Sequence, residues 1–477
     1  MKIRQHLLTA LIVCMASVTA HGDENYDNAL ALVDAWLEVQ RAYDRVPGMS
    51  VAIVHDQELL WSGAKGYADL ERQLPASTDT IYGICSISKL FTGIAALQLR
   101  DQGRYRLDDP VARLLPWFDL KHTDANSPVI TLEGLLTHSA GVPRESDSPY
   151  WMGPDFTFPS REAVRARMAE QATLWAASEY YQYSNLGLTL VGEIVAEQSG
   201  QDYEAYVRAH IIEPMGLDDT DTGFPEDGRA ARIATGYGTP TRAGEVLPLP
   251  RYDARGITPA AGFSSTALDL ARFASWQFRV RDGGDDGILA GNTLKEMQRI
   301  HWMDWDFGSA WGLAFGIYNQ DGRTVTGHGG HCPGFATRIF IDPLSRFGVV
   351  VMSNRNAVDV SGYASSILDI LDAGGAPTAP AEEAAEPTVD FTEFLGAYDL
   401  YPWGNEALVV QWEDGLSIAW VPSMTPLENM EKLQHIEGDT FKVVRDDESL
   451  ADEVVFIRDE SGTVVSMKRH SLIIPRR

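Results

Sequence analysis

The feature that most limits what this chain can fold into is the order of its periodicities. Stretches of strand length stand at the front and the back of the first 370 residues, and helical spacing lies between them. Leu30, Val33, Trp36, Leu37 and Ala42 mark a helix that Pro47-Gly48 stops. Met49–Val54 and Glu58–Ser62 then read as two strands around the Asp56-Gln57 turn. After Ser86 a long helix runs through Phe91, Ile94, Ala95, Leu97 and Leu99 to a glycine stop at Gly103. Leu186–Gln198, ended by Gly200, and Ala267–Phe278 read as further helices, and Phe315–Tyr318, Thr337–Ile341 and Phe347–Ser353 as late strands. Strands, then helices, then strands predict an α+β domain whose sheet contains both ends of that stretch.

Both flanks of this domain differ from it in texture. Lys2 and Arg4 precede an apolar run from Leu7 to Ala20, too short to span a bilayer comfortably, and Val18-Thr19-Ala20 offers small residues for cleavage. Residues 1–20 therefore read as a signal peptide, and the mature chain as periplasmic or secreted, with no stable membrane span after processing. Bulky Val13 before Cys14 argues against a lipid anchor. The formal net charge of −28, which becomes −30 without Lys2 and Arg4, excludes nucleic acid and anionic membrane surfaces as natural partners. The main domain spans 21–371, and an Ala-, Pro- and Glu-rich linker spans 372–387. From 388 to 477 the pattern is all-β: Ala407–Trp412 and Leu416–Trp420 flank Asp414-Gly415, a hairpin signal. This tail reads as a small barrel or sandwich that folds separately.

A serine hydroxyl is a poor nucleophile until a neighbour takes its proton. Ser86-Ile87-Ser88-Lys89 places a hydroxyl and an amine one helical turn apart. At a helix start the free N–H groups favour developing negative charge at Ser86, and a buried Lys89 has the lowered proton affinity that a base needs. The pattern also occurs at Ser62-Gly63-Ala64-Lys65, within a strand where nothing activates it, and these read as surface residues. Tyr183-Ser184-Asn185 is equally unspecific alone, since Tyr26-Asp27-Asn28 matches too, but Tyr183 directly precedes a helix start. His328 and His331 have the spacing of a metal-ligand pair, yet on a strand residues three apart face opposite ways, so neither a metal nor a cofactor is implied.

Ser86–Lys89, Tyr183–Asn185 and His328-Gly329-Gly330 stand in the order of the three motifs of serine β-lactamases and DD-peptidases. Pro47-Gly48-Met49-Ser50-Val51-Ala52, Leu107-Asp108-Asp109-Pro110, Leu136-Thr137-His138-Ser139-Ala140-Gly141 and Pro333-Gly334-Phe335 extend the likeness from about Ala29 to about Leu371. The chain resembles the class C β-lactamase branch, the serine-peptidase S12 group. The resemblance implies a β-lactamase/transpeptidase-like fold, an antiparallel sheet flanked by helices with a helical subdomain. It implies that Ser86 forms an acyl-enzyme, that Tyr183 and Lys89 share the base work, and that Asn185 bonds Lys89 or the substrate amide. The backbone N–H groups of Ser86 and His331, beside Gly330, are the implied oxyanion hole. His328 stands where many relatives carry Lys, and its protonation is expected to help hold a substrate carboxylate as pH falls.

Departures from that pattern shape the expectation for substrates. Gly329 replaces a Thr that helps bind a carboxylate, and Ala177-Ser178 replaces the usual Pro-Gly before the tyrosine, so the loop there is expected to be reshaped. His138 reads as structural, and Arg144, Trp151 and Trp175 as cleft-lining or packing residues. A small ester, amide or D-residue peptide is the expected substrate, with weak or no β-lactamase activity. A non-catalytic penicillin- or muropeptide-binding sensor and an envelope protein are the competing classes, and a homo-oligomer is compatible with the sequence. Without the leader, Cys85 and Cys332 are the two cysteines. By resemblance to some class A carbapenem-hydrolysing enzymes, which bridge the same relative positions, they form a disulfide; the alternative is two buried thiols.

Overall fold

The computed structural model describes residues 26–375 and 390–477, apart from positions 148, 285, 321 and 414. The leader read over 1–20 and most of the linker lie outside the described residues. Helix α1 (Asp27–Tyr43) buries Val33, Trp36 and Leu37 of the stripe its spacing predicts, together with Leu32, while Leu30 is half-buried and Ala42 is exposed. Strands β1 (Gly48–His55), β2 (Glu58–Asp69) and β3 (Leu74–Pro75) follow. The late strands are β4 (Trp302–Met303), β5 (Ala310–Trp311), β6 (Gly316–Gln320), β7 (Arg323–Cys332), β8 (Phe335–Ile341) and β9 (Phe347–Ser353). They join in one antiparallel sheet of order β3-β2-β1-β9-β8-β7-β6-β5-β4, so early and late strands meet at β1 and β9, with Met49 opposite Ser353.

Strand alternation assigns the two faces of this sheet to two cores. Val349 and Val351 of β9 point to α1 and to α5 (Val360–Gly374). Val350 and Met352 point to the opposite core, shared with α2 (Ser88–Asp101), α3 (Asn185–Ser199) and α4 (Ala267–Arg281). The strand β2 runs seven residues past its sequence-read end at Ser62 and takes in the second serine–lysine pair. Ser62 and Lys65, three apart on a strand, project from opposite faces. Both are half-buried rather than on the surface, and Lys65 is ion-paired to Asp34 at 2.8 Å. Helix α5 continues to Gly374, into the stretch read as linker.

The tail is a nearly closed barrel. Its strands β10 (Gly396–Asp399), β11 (Glu406–Trp412), β12 (Gly415–Val421), β13 (Met430–Glu437), β14 (Thr440–Val444), β15 (Leu450–Arg458), β16 (Val464–Arg469) and β17 (Leu472–Pro475) pair in chain order. The first and last meet through Tyr398 and Arg476, and Arg477 N donates to Ala397 O at 2.9 Å. Phe394, Tyr398, Phe441, Phe456 and Met467 fill it. Leu408, Val410, Ala419 and Val421 point outward into the core of α1 and α5. Trp36 Nε1 donates to Ser423 O at 2.8 Å, and Asn28 Nδ2 to Glu413 O at 3.1 Å. The barrel thus shares a core with the main domain instead of standing apart. A proline-rich joint reports a break in secondary structure, and says nothing of which faces pack.

Candidate active site

Ser86 lies in a 3-10 turn, Cys85–Ile87, that leads into α2, so it precedes the α-helix rather than beginning it. Lys89 is completely buried one turn on. Its Nζ donates to Ser86 Oγ at 3.1 Å, Asn185 Oδ1 at 2.8 Å and Ala260 O at 2.7 Å. Burial pulls its proton affinity well below the usual lysine value; Glu145 opposes this and Arg144 adds to it.

The tyrosine motif reaches Lys89 because Ser184 caps α3, accepting from Gly187 N at 2.7 Å, and so fixes its neighbours. Tyr183 is the residue before that cap, and its ring centroid lies 4.8 Å from Lys89 Nζ. Burial pushes its phenol up, opposed by a hydrogen bond from Ser86. Asn185 is the first residue of α3 and bridges two groups: its Nδ2 donates to Glu145 Oε1 at 2.7 Å while its Oδ1 faces Lys89. His138 is structural, as its sequence position implied. Its buried Nδ1 accepts from Ser184 N at 3.1 Å. The rival Tyr26-Asp27-Asn28 sits at the start of α1, where Asn28 ties down the barrel.

The opposite wall is β7. Strand β6 pairs with β7 only from Arg323 to Gly327, so from His328 to Cys332 the edge away from β8 has no strand partner. Gly330 presses on the nucleophile turn: a Cβ there would lie 2.2 Å from Ile84 O, which only glycine avoids. His328 is buried against Tyr183 and Trp311, with Nδ1 at 2.6 Å from Gly329 O. That carbonyl accepts, so Nδ1 carries the hydrogen. Burial first, then the charge of Lys89, holds its pKa at about 3. A carboxylate anchor that titrates is the expectation for His328; burial instead favours its neutral ring. His331 is exposed on the other face of β7. Gly329 does not leave a void. A Cβ there would meet the Arg338 guanidinium at 2.9–3.1 Å, and that group is held by Ser361 and stacked on Tyr318 and Phe340.

The cation that does face the site is Arg144, whose guanidinium carbon lies 5.0 Å from the Tyr183 ring centroid on a largely exposed side chain. Trp151 packs on Tyr150 and Phe158, and Trp175 on Tyr180. Ser178 has a left-handed backbone, with φ 63° and its N–H on Ser139 O at 2.8 Å. Two site elements have no motif that marks them in the sequence. Trp311, on a two-residue strand, packs against His138, Tyr183 and His328 and has no local signal. Glu145 follows Pro143-Arg144 just after the Leu136–Gly141 motif, and its proximity to that motif is the one clue to it.

Cys85 and Cys332 are bonded, with Cα atoms 5.6 Å apart at a sequence separation of 247. The bridge ties the residue before Ser86 to the end of β7. The chain without residues 1–20, denatured without reductant, is expected to show no free thiol. Reduction is expected to remove stability on the order of 5 kcal/mol in the loop-entropy account. Two free thiols in protein purified from an oxidising compartment, or an unchanged unfolding midpoint on reduction, would refute the bridge as a stabilising link.

Comparison with known proteins agrees with this geometry. Residues 33–371 match the family model described as Beta-lactamase. Protein flp of Staphylococcus aureus strain MW2 is 26% identical over 329 residues, 68% of this chain, and the match spans 63% of that protein's length. The octameric penicillin-binding protein homologue of Pyrococcus abyssi superposes with a TM-score of 0.64 at 25% identity, over 93% of this chain and 99% of its own, so the likeness takes in the barrel. The D-amino acid amidase of Ochrobactrum anthropi SV3 has the same fold, with a TM-score of 0.59 at 24% identity over 72% of this chain and 96% of its own. The serine–lysine turn, the capped tyrosine loop and the open edge of β7 are thus three walls of one cleft on a shared scaffold, and the chain belongs to the beta-lactamase family.

Proposed function

We propose that the chain is an exported serine hydrolase that cleaves a small ester or amide through an acyl-enzyme on Ser86. The observation that carries this reading is the contact of Ser86 Oγ with the buried Lys89 Nζ at 3.1 Å, with the Tyr183 ring centroid 4.8 Å from the same amine. Burial favours the neutral form of both neighbours, an amine at Lys89 and a phenol at Tyr183. Lys89 in its amine form takes the serine proton as Oγ bonds to the carbonyl carbon. The Tyr183 phenol gives a proton to the departing alcohol or amine, and a proton passing from Lys89 to Tyr183 restores it. Water then attacks the acyl carbon, loses its proton to the same pair, and releases the acid and the Ser86 hydroxyl. The backbone N–H groups of Ser86 and His331 are assigned to the oxyanion. The leader-like residues 1–20 support export.

Both departures in the third motif argue for substrates other than classical penicillins. His328 is neutral, and Arg338 occupies the space beside Gly329. The amidase among the fold neighbours makes D-amino acid amides a rational part of a substrate panel, alongside simple esters. The assay is covalent labelling by a fluorophosphonate, located by peptide mapping, followed by turnover of that panel. Modification at Ser86 with turnover supports the reading; folded protein that is neither labelled nor active refutes it. For carboxylated substrates the anchor is Arg144. Arg144→Gln is expected to lower kcat/KM about tenfold more for a carboxylated ester than for a neutral one. The wild-type preference between the two should stay flat from about pH 5.5 to 8, because His328 does not titrate there. A preference that rises as pH falls through about 6 would restore His328 to the role.

A further inference from the structure

We propose that Glu145 is a positioning residue for Lys89: its carboxylate sets the Asn185 amide with the oxygen toward the lysine and supplies the negative charge that faces the buried amine. The inference rests on the Ser86–Lys89 reading of the site and goes beyond it, since Glu145 belongs to none of the three motifs.

Three contacts carry the argument. The two ends of an amide are chemically opposite, one accepting and one donating. Glu145 Oε1 accepts from Asn185 Nδ2 at 2.7 Å, and Asn185 Oδ1 accepts from Lys89 at 2.8 Å. A flipped amide would turn its NH2 toward the lysine N–H groups and its oxygen toward the carboxylate, so an anion at 145 admits one orientation. The second carboxylate oxygen is bonded to the Tyr150 hydroxyl. Tyr150 is itself buried and packed against the tilted rings of Trp151 and Phe158, so the core holds the carboxylate in place.

The charges around Lys89 give Glu145 its weight. Arg144, on the same loop, is a cation that disfavours the ammonium and pairs with Glu145 Oε1 at 3.4 Å from a largely exposed side chain, where solvent weakens the pairing. From the neighbouring elements His138 and His328 face it as neutral rings, both kept uncharged by burial, and Tyr183 as a phenol. Asn185 and the Ala260 carbonyl contribute dipoles only. Within this set Glu145 is the anion. Burying an ammonium without a compensating charge is costly, so removing that carboxylate should make Lys89 give up its proton at lower pH.

The pH dependence of the fluorophosphonate acylation rate tests this. In the wild type the rate should rise along the limb on which Lys89 loses its proton. Glu145→Gln should move that limb about one pH unit lower. Below the limb the variant should therefore react up to about tenfold faster than wild type, a gain that a merely loosened site does not produce. Glu145→Asp, which keeps the charge, should leave the limb within about 0.3 unit. An unmoved limb in a Glu145→Gln protein of wild-type melting temperature overturns the proposal. An equal displacement in Glu145→Asp overturns the assignment to charge. If the glutamine variant does not fold, Glu145→Ala is expected to show the same displacement, and an unmoved limb there overturns the proposal equally. Wild-type protein that is never labelled fails earlier, at the Ser86 reading itself.

Discussion

Ser86→Ala is expected to abolish covalent labelling and to lower kcat/KM by about 10⁴- to 10⁶-fold, the loss typical when a catalytic nucleophile is removed from a site whose members act as a unit. The size of the effect follows from where the hydroxyl stands. Lys89, completely buried, offers Ser86 one of its three hydrogen bonds, and the Tyr183 ring lies beside the same amine. No second hydroxyl occupies that position: Ser88 Oγ, two residues on, is committed to Cys85 O at 2.5 Å and accepts from Phe263 N at 3.0 Å. Ser62→Ala is the control. It shares the serine–lysine spacing, yet its lysine lies across the strand and is paired with Asp34, so labelling and turnover should stay within about twofold of wild type. Substantial turnover by Ser86→Ala, or loss of labelling in Ser62→Ala, would overturn the assignment.

Removal of the barrel is expected to be nearly as damaging, by a different route. A chain ending at residue 380 exposes the face of α1 and α5 that Leu408, Val410, Ala419 and Val421 cover. It also strips Trp36, fully buried in the intact protein, of its hydrogen bond to Ser423 O. The truncated protein should aggregate, or melt more than about 10 °C lower, since a few kcal/mol shift a domain of this size by several degrees each. Trp36→Ala in the full chain isolates the contribution of one anchor and should cost about 3–5 kcal/mol. A truncated chain that melts with the intact protein and is labelled at the same rate would show that the shared core adds nothing to stability.

The chemistry is legible before the fold because it is written in local spacing. A serine and a lysine three apart at a helix entrance, a tyrosine before a capped helix, and a glycine-rich strand are short-range patterns that backbone geometry turns directly into contacts. The sheet with early and late strands together is legible for the same reason, since period-two and period-3.6 repeats report which residues face a core. Spacing alone does not decide between Ser62 and Ser86. Nor does it show that His328 is sealed in a neutral state, because burial is a property of what packs above a residue from elsewhere in the chain.

What only the tertiary structure decided therefore concerns groups brought together from distant segments. Glu145 reaches Lys89 through Asn185, 40 positions further along the chain, Arg338 fills the space at Gly329 from the next strand, and Cys85 meets Cys332, 247 positions further on. Trp36 finds the barrel nearly 400 residues away. The physical reason is common to all four. A residue type and its neighbours in sequence set its intrinsic chemistry and secondary structure, whereas dielectric, charge compensation and packing partners are set by nonlocal contacts that have no periodic trace in the chain.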